Sequence, residues 1–352
     1  MKISILTFSQ GDNYGAVLQS YALGEWLRSN GHEVEYIYMT WSTWKYQILS
    51  SLTPLKYNFK EFRKRYLRDF SRRCYSTEDL SKSIAHTDLC IVGSDQVWNP
   101  DITTFRALHY FFDFVPDNVV KISYAASFGK KEWEWDSLTD KVKSLLKRFY
   151  RVSVREKEGE EICKDCFGIS AKVVLDPTFL LKDYRNILTT PRFPNYVVGF
   201  MFHPSDNYYN LLGELGKIMN EKVVVMDLPS RKTKLSVFKF AYSPFSKVTS
   251  WVTNIANSSF VVTDSFHCLA FSIIFNKQFI FIASKKKLLS RVTTLLNKLQ
   301  IKDRIVDSPE DAQAMLPKLI PIDYKKVNKL LNEERVKSEE FLFEVIGYAK
   351  KK

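Results

Sequence analysis

Phe260-Val261-Val262-Thr263-Asp264-Ser265-Phe266-His267-Cys268 joins two structural patterns without a break. The apolar, β-branched run Phe260–Thr263 reads as a buried strand. The spacing of Phe266, Leu269, Ala270, Ile273 and Ile274 reads as a helix that begins immediately afterwards. A helix start presents free backbone N–H groups and the positive end of the helix dipole, so the turn at Ser265 and Phe266 suits an anion. His267, in the first turn, can take or relay a proton there. A proton-transfer group beside an anion cradle is what transfer from a phosphorylated donor requires.

Outward from that stretch, short apolar runs alternate with helical patterns. Ile3–Phe8, Val34–Met39, Leu89–Gly93, Ile122–Ala126 and Val152–Val154 read as strands, with helices over Ala16–Leu27 and Lys141–Phe149. Asp183–Pro194 reads as a linker. A second series follows, with strands at Tyr196–Phe202, Lys222–Asp227 and Phe279–Ala283, and helices at Tyr208–Met219, Val248–Ile255 and Leu288–Leu299. Such alternation predicts parallel βαβ units, hence an α/β fold of two halves with a cleft between them. The expected division is 1–182, 183–322 and a C-terminal helix over 323–352, with a basic amphipathic insertion at about 41–85.

A chain of 352 residues exceeds what one efficient core supports, which agrees with two domains. With 45% apolar and 26% charged residues, and Gly and Pro at 12 each, collagen-like and disordered classes are excluded. No apolar run is long enough to span a bilayer, and Met1–Leu6 reads as a strand rather than a leader, so a cytoplasmic protein is expected. Five cysteines form no disulfide framework, and Cys163-Lys164-Asp165-Cys166 lacks a second ligand pair, so no metal is expected. A net charge of +13 favours phosphorylated metabolites or an anionic membrane surface. Nucleic acid is not expected, because its reading motifs are missing.

Further candidates sit where strands end. Gly11-Asp12-Asn13-Tyr14-Gly15 lies between the first strand and first helix; it reads as a sugar or phosphate contact, or as a capped turn. Ser94, Asp95, Gln96 and Trp98 follow a strand and offer hydrogen bonds and a ring face to a sugar; the alternative is a cap at Asp95 and a core Trp98. Arg155 follows Val154 and reads as an anion fork or a surface ion pair. Trp41, Trp44 and Tyr46 precede an expected helix over Phe59–Arg73 with an apolar stripe and a basic remainder, suited to an anionic membrane or to covering the domain. Lys285 to Lys287 and Arg291 could neutralise a phosphate across the cleft, or form a solvated charge run.

Together these segments resemble the polysaccharide pyruvyl transferase family. The resemblance runs through Asn13–Leu23, Ile91–Pro100, Ile122–Gly129, Val152–Gly159, Val174–Leu181 and Val261–Ile280. It implies a GT-B-like fold, with two Rossmann-like domains whose parallel sheets face a central cleft. It also implies phosphoenolpyruvate as co-substrate, no cofactor, and a pyruvate ketal formed on a sugar or lipid-linked oligosaccharide acceptor at the inner face of the membrane. His267 matches the donor-site histidine and Arg155 a donor-binding arginine. Asp95 and Asp264 are candidate acid–base partners. Ser265, Phe266, Arg291 and Lys285 are expected on the donor side, and Asn13, Tyr14, Gly15, Ser94, Gln96 and Trp98 on the acceptor side. Two departures stand out: many members have Arg-Leu-His where this chain has Ser265-Phe266-His267, and Cys268 stands where the Ser-Phe-His branch usually has glycine. Arg291 or the Lys285–Lys287 run is expected to replace the missing cation. The rival readings are a nucleotide-sugar glycosyltransferase on the same fold and a non-catalytic glycan- or membrane-binding relative.

Overall fold

The computed structural model describes residues 1–40, 54–228, 235–283 and 289–352. Its first sheet is built from β1 (Lys2–Leu6), β2 (Glu33–Tyr36), β3 (Leu89–Val92) and β4 (Val120–Ser123) in the order β2-β1-β3-β4, all parallel. A parallel pair, β5 (Val152–Val154) and β6 (Ala171–Val173), extends this sheet through bridges at Ile122 to Arg151 and Ala126 to Val154. Helix α1 (Tyr14–Ser29) follows β1, and α2 (Pro54–Tyr66) lies between β2 and β3. β3 and β4 are buried along their whole length; β3 is accordingly apolar throughout, whereas β4 carries Lys121 and Ser123, whose polar atoms donate to Pro116 O and Ser153 O.

The second sheet comprises β7 (Tyr196–Phe200), β8 (Lys222–Val225), β9 (Ala241–Tyr242), β10 (Phe260–Thr263), β11 (Gln278–Ile282) and β12 (Ile305–Val306). Its order is β12-β11-β10-β7-β8-β9, again with parallel pairings. The deciding stretch forms the centre: Phe260 registers with Val197 on one side and Gln278 on the other. Helices α3 (Val248–Ala256) and α4 (Phe266–Ile274) flank β10, and α5 (Ser290–Lys298) follows β11. The long α6 (Tyr324–Ala349) returns to the first half, where Ser338 Oγ accepts from Leu175 N at 3.0 Å and Tyr348 stacks on Tyr150 at 3.7 Å. No described helix is long and apolar enough to cross a membrane.

The basic helix is shorter than its stripe predicts. It ends at Tyr66, Asp69 adopts a φ of 68°, and Phe70 bridges to Tyr36 at the sheet edge. An amphipathic period therefore ran on into extended chain, because Phe70 meets the core equally well from an edge position. Among the elements that passed unread are the helix Lys157–Phe167, the strand β6, whose Lys172 is exposed, the short strands β9 and β12, and the helices Thr77–Ser83 and Pro309–Met315. Trp41, Trp44, Tyr46 and Lys285 lie outside the described residues.

Candidate active site

In doubly wound sheets, ligands bind beyond the carboxyl ends of strands where the strand order reverses. Here that point falls between β1 and β3 in the first sheet and between β7 and β10 in the second. The loops at those ends meet around a cleft of about 540 Å³ lined by Thr7, Phe8, Gln10, Gly11, Asn13, Asp95, Gln96, Arg106, Tyr110, Phe202, Ser265, Phe266, His267 and Arg291, among others.

The end of β10 is held by a chain of hydrogen bonds. Thr263 Oγ1 donates to Phe200 O at 2.7 Å and accepts from Ser265 N at 3.0 Å. Ser265 is the N-cap of α4, with extended backbone and its Oγ accepting from Cys268 N at 3.4 Å. His267 is thereby fixed in the first turn, 8% exposed, at the cleft wall. Its Nε2 lies 3.6 Å from Asp176 Oδ2. On its other flank the ring abuts the backbone of Gly15: a Cβ there would come within 1.9 Å of Nδ1. Glycine at position 15 is what lets α1 approach the imidazole.

Asp176 is the hub that the sequence did not reveal. Its Oδ2 accepts from Ser94 Oγ at 2.9 Å and from Arg155 Nη1 at 3.0 Å, and its Oδ1 accepts from Thr178 N and Oγ1. Burial alone would push its pKa up, but His267, Arg155 and Thr178 outweigh that and hold the carboxyl well below its usual range. Arg155 also donates to Asp95 Oδ1 at 3.2 Å and lies 3.8 Å from Glu156 Oε2. Asp95 itself adopts a φ of 79°, a strained conformation for a non-glycine residue, and lines the cleft. Both hydrogen bonds to its carboxylate among the described residues, from Arg155 and from Gln96 N, fall on Oδ1. Burial raises the Asp95 pKa, but Arg155, His267 and Arg291 reverse this and lower it.

Arg291, at the start of α5, sits with its guanidinium 5.6 Å from the centre of the Phe266 ring. Among the described residues no carboxylate forms an ion pair with it, and its buried Nε has no hydrogen-bond partner. Burial, reinforced by the nearby Arg155 charge, brings its pKa down to about 10. An anion here would restore what burial removes. Arg291 and Phe266 also border a second compartment of about 290 Å³, mostly apolar, lined by Phe202, His203, Asp264, Phe281 and Leu289.

Of the expected site residues, His267, Asp95, Ser265, Phe266, Arg291, Asn13 and Gln96 line the main cleft. Asn13 reaches it while its Oδ1 caps α1 through Gly15 N and Ala16 N. Six expected residues lie away from the main cleft; one is Gly15, buried in α1 with its backbone against the His267 ring. Trp98 is fully buried, stacked on Phe111 at 5.2 Å with Nε1 donating to Tyr110 O, so it offers no face to a sugar. Tyr14 is 3% exposed, stacked on Trp251 of α3 at 4.9 Å with its hydroxyl donating to Ser246 O; it joins the two halves instead of binding an acceptor. Ser94 is fully buried and supports Asp176. Arg155 is 4% exposed behind Phe266, its charge matched by Asp95 and Asp176, so it braces the wall of the cleft. Asp264 borders the smaller compartment, where its Oδ1 accepts from Phe202 N, and not the main cleft. Arg106 and Gln10, by contrast, were not anticipated: Arg106 is a lone charge between Phe105 and Ala107, and Gln10 is one polar residue in the polar loop Ser9–Asn13, so neither carries a motif.

Solved structures with the same arrangement of two Rossmann-like domains define the class as GT-B. A UDP-N-acetylglucosamine 2-epimerase from Listeria monocytogenes, described as putative, superimposes with a TM-score of 0.59 at 10% identity, covering 100% of this chain and 97% of that one. The UDP-GlcNAc 2-epimerase from Neisseria meningitidis bound to UDP-GlcNAc gives 0.58 at 10% identity, with 98% and 99% covered. An alpha-glucosyltransferase in complex with UDP and a 13-mer DNA gives 0.50 at 11% identity, with 97% and 95% covered. At such identities the likeness establishes the fold alone. The sequence matches the description Polysaccharide pyruvyl transferase over residues 13–286, so the chain belongs to that family of transferases. A search of curated proteins gave no match.

Proposed function

We propose that the cleft binds phosphoenolpyruvate and builds a pyruvate ketal across two hydroxyls of a cell-surface glycan or its lipid-linked precursor, releasing phosphate. The observation that supports this most is the grouping in one cleft of His267, the α4 start, Asp95 and Arg291, which has no ion pair among the described residues. Arg291 and the first amides of α4 hold the donor phosphate, which answers the cation lost at Ser265. His267, held between Asp176 and Gly15, delivers a proton to the enol methylene, turning it into a methyl group and leaving the central carbon electrophilic. A sugar hydroxyl adds to that carbon while Asp95 Oδ2 takes its proton. The carbon–oxygen bond to phosphate then breaks, the second hydroxyl adds, and its proton leaves with the phosphate. Return of the first hydroxyl's proton from Asp95 to His267 resets both groups, so over one turnover one diol proton replaces the one given to the methyl group and the other leaves on phosphate. The exposed Lys60, Lys64, Arg65 and Arg68 in and just after α2 favour contact with the anionic surface that presents such an acceptor.

A second reading has its own support: the apolar compartment beside Arg291 could take a nucleotide, as structural neighbours bind UDP or UDP-GlcNAc. Incubating the protein with phosphoenolpyruvate and a panel of glycosides decides between them. Phosphate release with the mass gain of one pyruvyl ketal, slowed by about 10²–10³-fold in His267→Ala, supports the proposal. Thermal stabilisation by UDP without phosphate release from phosphoenolpyruvate replaces it with the glycosyl-transfer reading.

A further inference from the structure

Once the donor is seated on the α4 wall, the opposite wall still holds a cation. Arg106 lines the cleft from the 3-10 turn Thr104–Phe111, reached through Thr104 at a φ of 53°. Among the described residues its buried Nε has no hydrogen-bond partner and no carboxylate forms an ion pair with it; its guanidinium lies 5.6 Å from the Phe105 ring. Gln10, from the loop after β1, lines the same cleft and holds a buried Nε2 that is likewise unpartnered. Asp95, the acid lining the cleft, is bound through Oδ1 to Arg155 and Gln96. A neutral sugar offers hydroxyls to such a wall but nothing to match a charge, and a buried donor left unmet weakens binding.

We infer that Arg106 and Gln10 form an oxyanion subsite on the acceptor wall, so that the glycan accepted here carries its own negative group, a carboxylate or a phosphate ester. This rests on the pyruvyl-transfer reading for its chemistry but not for its binding. The guanidinium fork donates to the oxyanion, Gln10 Nε2 adds a third donor, and the two reacting hydroxyls then face Asp95.

The test uses the full chain, phosphoenolpyruvate, and three acceptors on one sugar: a neutral aryl glycoside, its uronic acid and its phosphate ester. A charged acceptor should be favoured by roughly tenfold or more in kcat/KM, and Arg106→Ala should erase that preference through the KM of the acceptor, not that of the donor. Arg106→Lys should retain part of it, which separates loss of charge from misfolding. Which charged acceptor wins tells carboxylate from phosphate. Equal use of the neutral glycoside, or an Arg106→Ala effect confined to the KM for phosphoenolpyruvate, overturns the inference. If no phosphate is released with any acceptor, the pyruvyl reading fails by itself, and calorimetric binding of the same three glycans decides the subsite. Charge-selective binding lost in Arg106→Ala upholds it; unselective or undetectable binding removes it.

Discussion

Two helices begin at the cleft in the same manner and serve it in opposite ways. Both α1 and α4 follow the carboxyl end of a central strand, and both are capped by a short polar side chain, Asn13 and Ser265. The first turn of α4 brings Phe266 and His267 to the cleft. The first turn of α1 withdraws: Tyr14 is sealed against Trp251, and Gly15 presents bare backbone to the imidazole. One helix supplies the reactive group and the other supplies the room for it. Helix starts of equal chemistry therefore differ in function through the size of one residue.

The sharpest way to break this pairing is Gly15→Ala. The residue lies inside a helix without positive φ, so the alanine backbone is unstrained, and the expected fall of a few degrees in the thermal midpoint comes from crowding the buried imidazole. Its methyl group collides with His267, and turnover should fall by about 10²–10³-fold, comparable to His267→Ala, because a misplacement of about 1 Å is costly to a positioned acid. Steady-state phosphate release beside a melting curve checks both halves. Next in size is Arg291→Ala, expected to raise the KM for phosphoenolpyruvate by about 10–100-fold through loss of a charged hydrogen bond. Arg155→Ala should instead destabilise the fold, because it leaves buried Asp95 and Asp176 without their counter-charge.

Smaller effects sharpen the structural side. Tyr14→Phe keeps the stack on Trp251 and loses the bond to Ser246, so denaturant unfolding should register about 1 kcal/mol with little change in turnover. Asp227 accepts from Met201 N, Tyr208 and Tyr209, and burial brings its pKa up to about 7. The folded state therefore keeps that proton after the unfolded chain has released it. Its stabilisation is complete below the ordinary carboxylate range near 4 and fades as pH rises to about 7. Asp227→Asn should flatten the pH dependence of Tm between those limits by a few degrees; an unchanged slope would assign the dependence elsewhere.

The pattern of strands and helices was legible because parallel strands such as β10 are apolar throughout, and their ends coincide with polar turns. The same logic placed His267, Asp95, Ser265 and Arg291 at the cleft. It failed where a residue's role depends on a distant partner. Ser94 and Arg155 meet at Asp176 across separations of 82 and 21 residues, which no local spacing records. Tyr14 and Trp98 misled because an aromatic ring beside a polar turn looks alike in sequence whether it faces a ligand or a core. Asp176 went unassigned because Asp-Pro reads first as a turn, and its pairing with His267 exists only once both sheets are formed.

The return of α6 to the first half sets a schedule for folding during synthesis. Leu175 waits 163 residues for Ser338, and Trp26 waits 313 for Glu339. At ribosomal rates the first of these delays is on the order of ten seconds. Through that interval the N-terminal sheet has emerged while the helix that covers Tyr124 and Tyr150 has yet to be made. Nascent chains halted before residue 324 should accordingly expose an apolar face that chaperones bind.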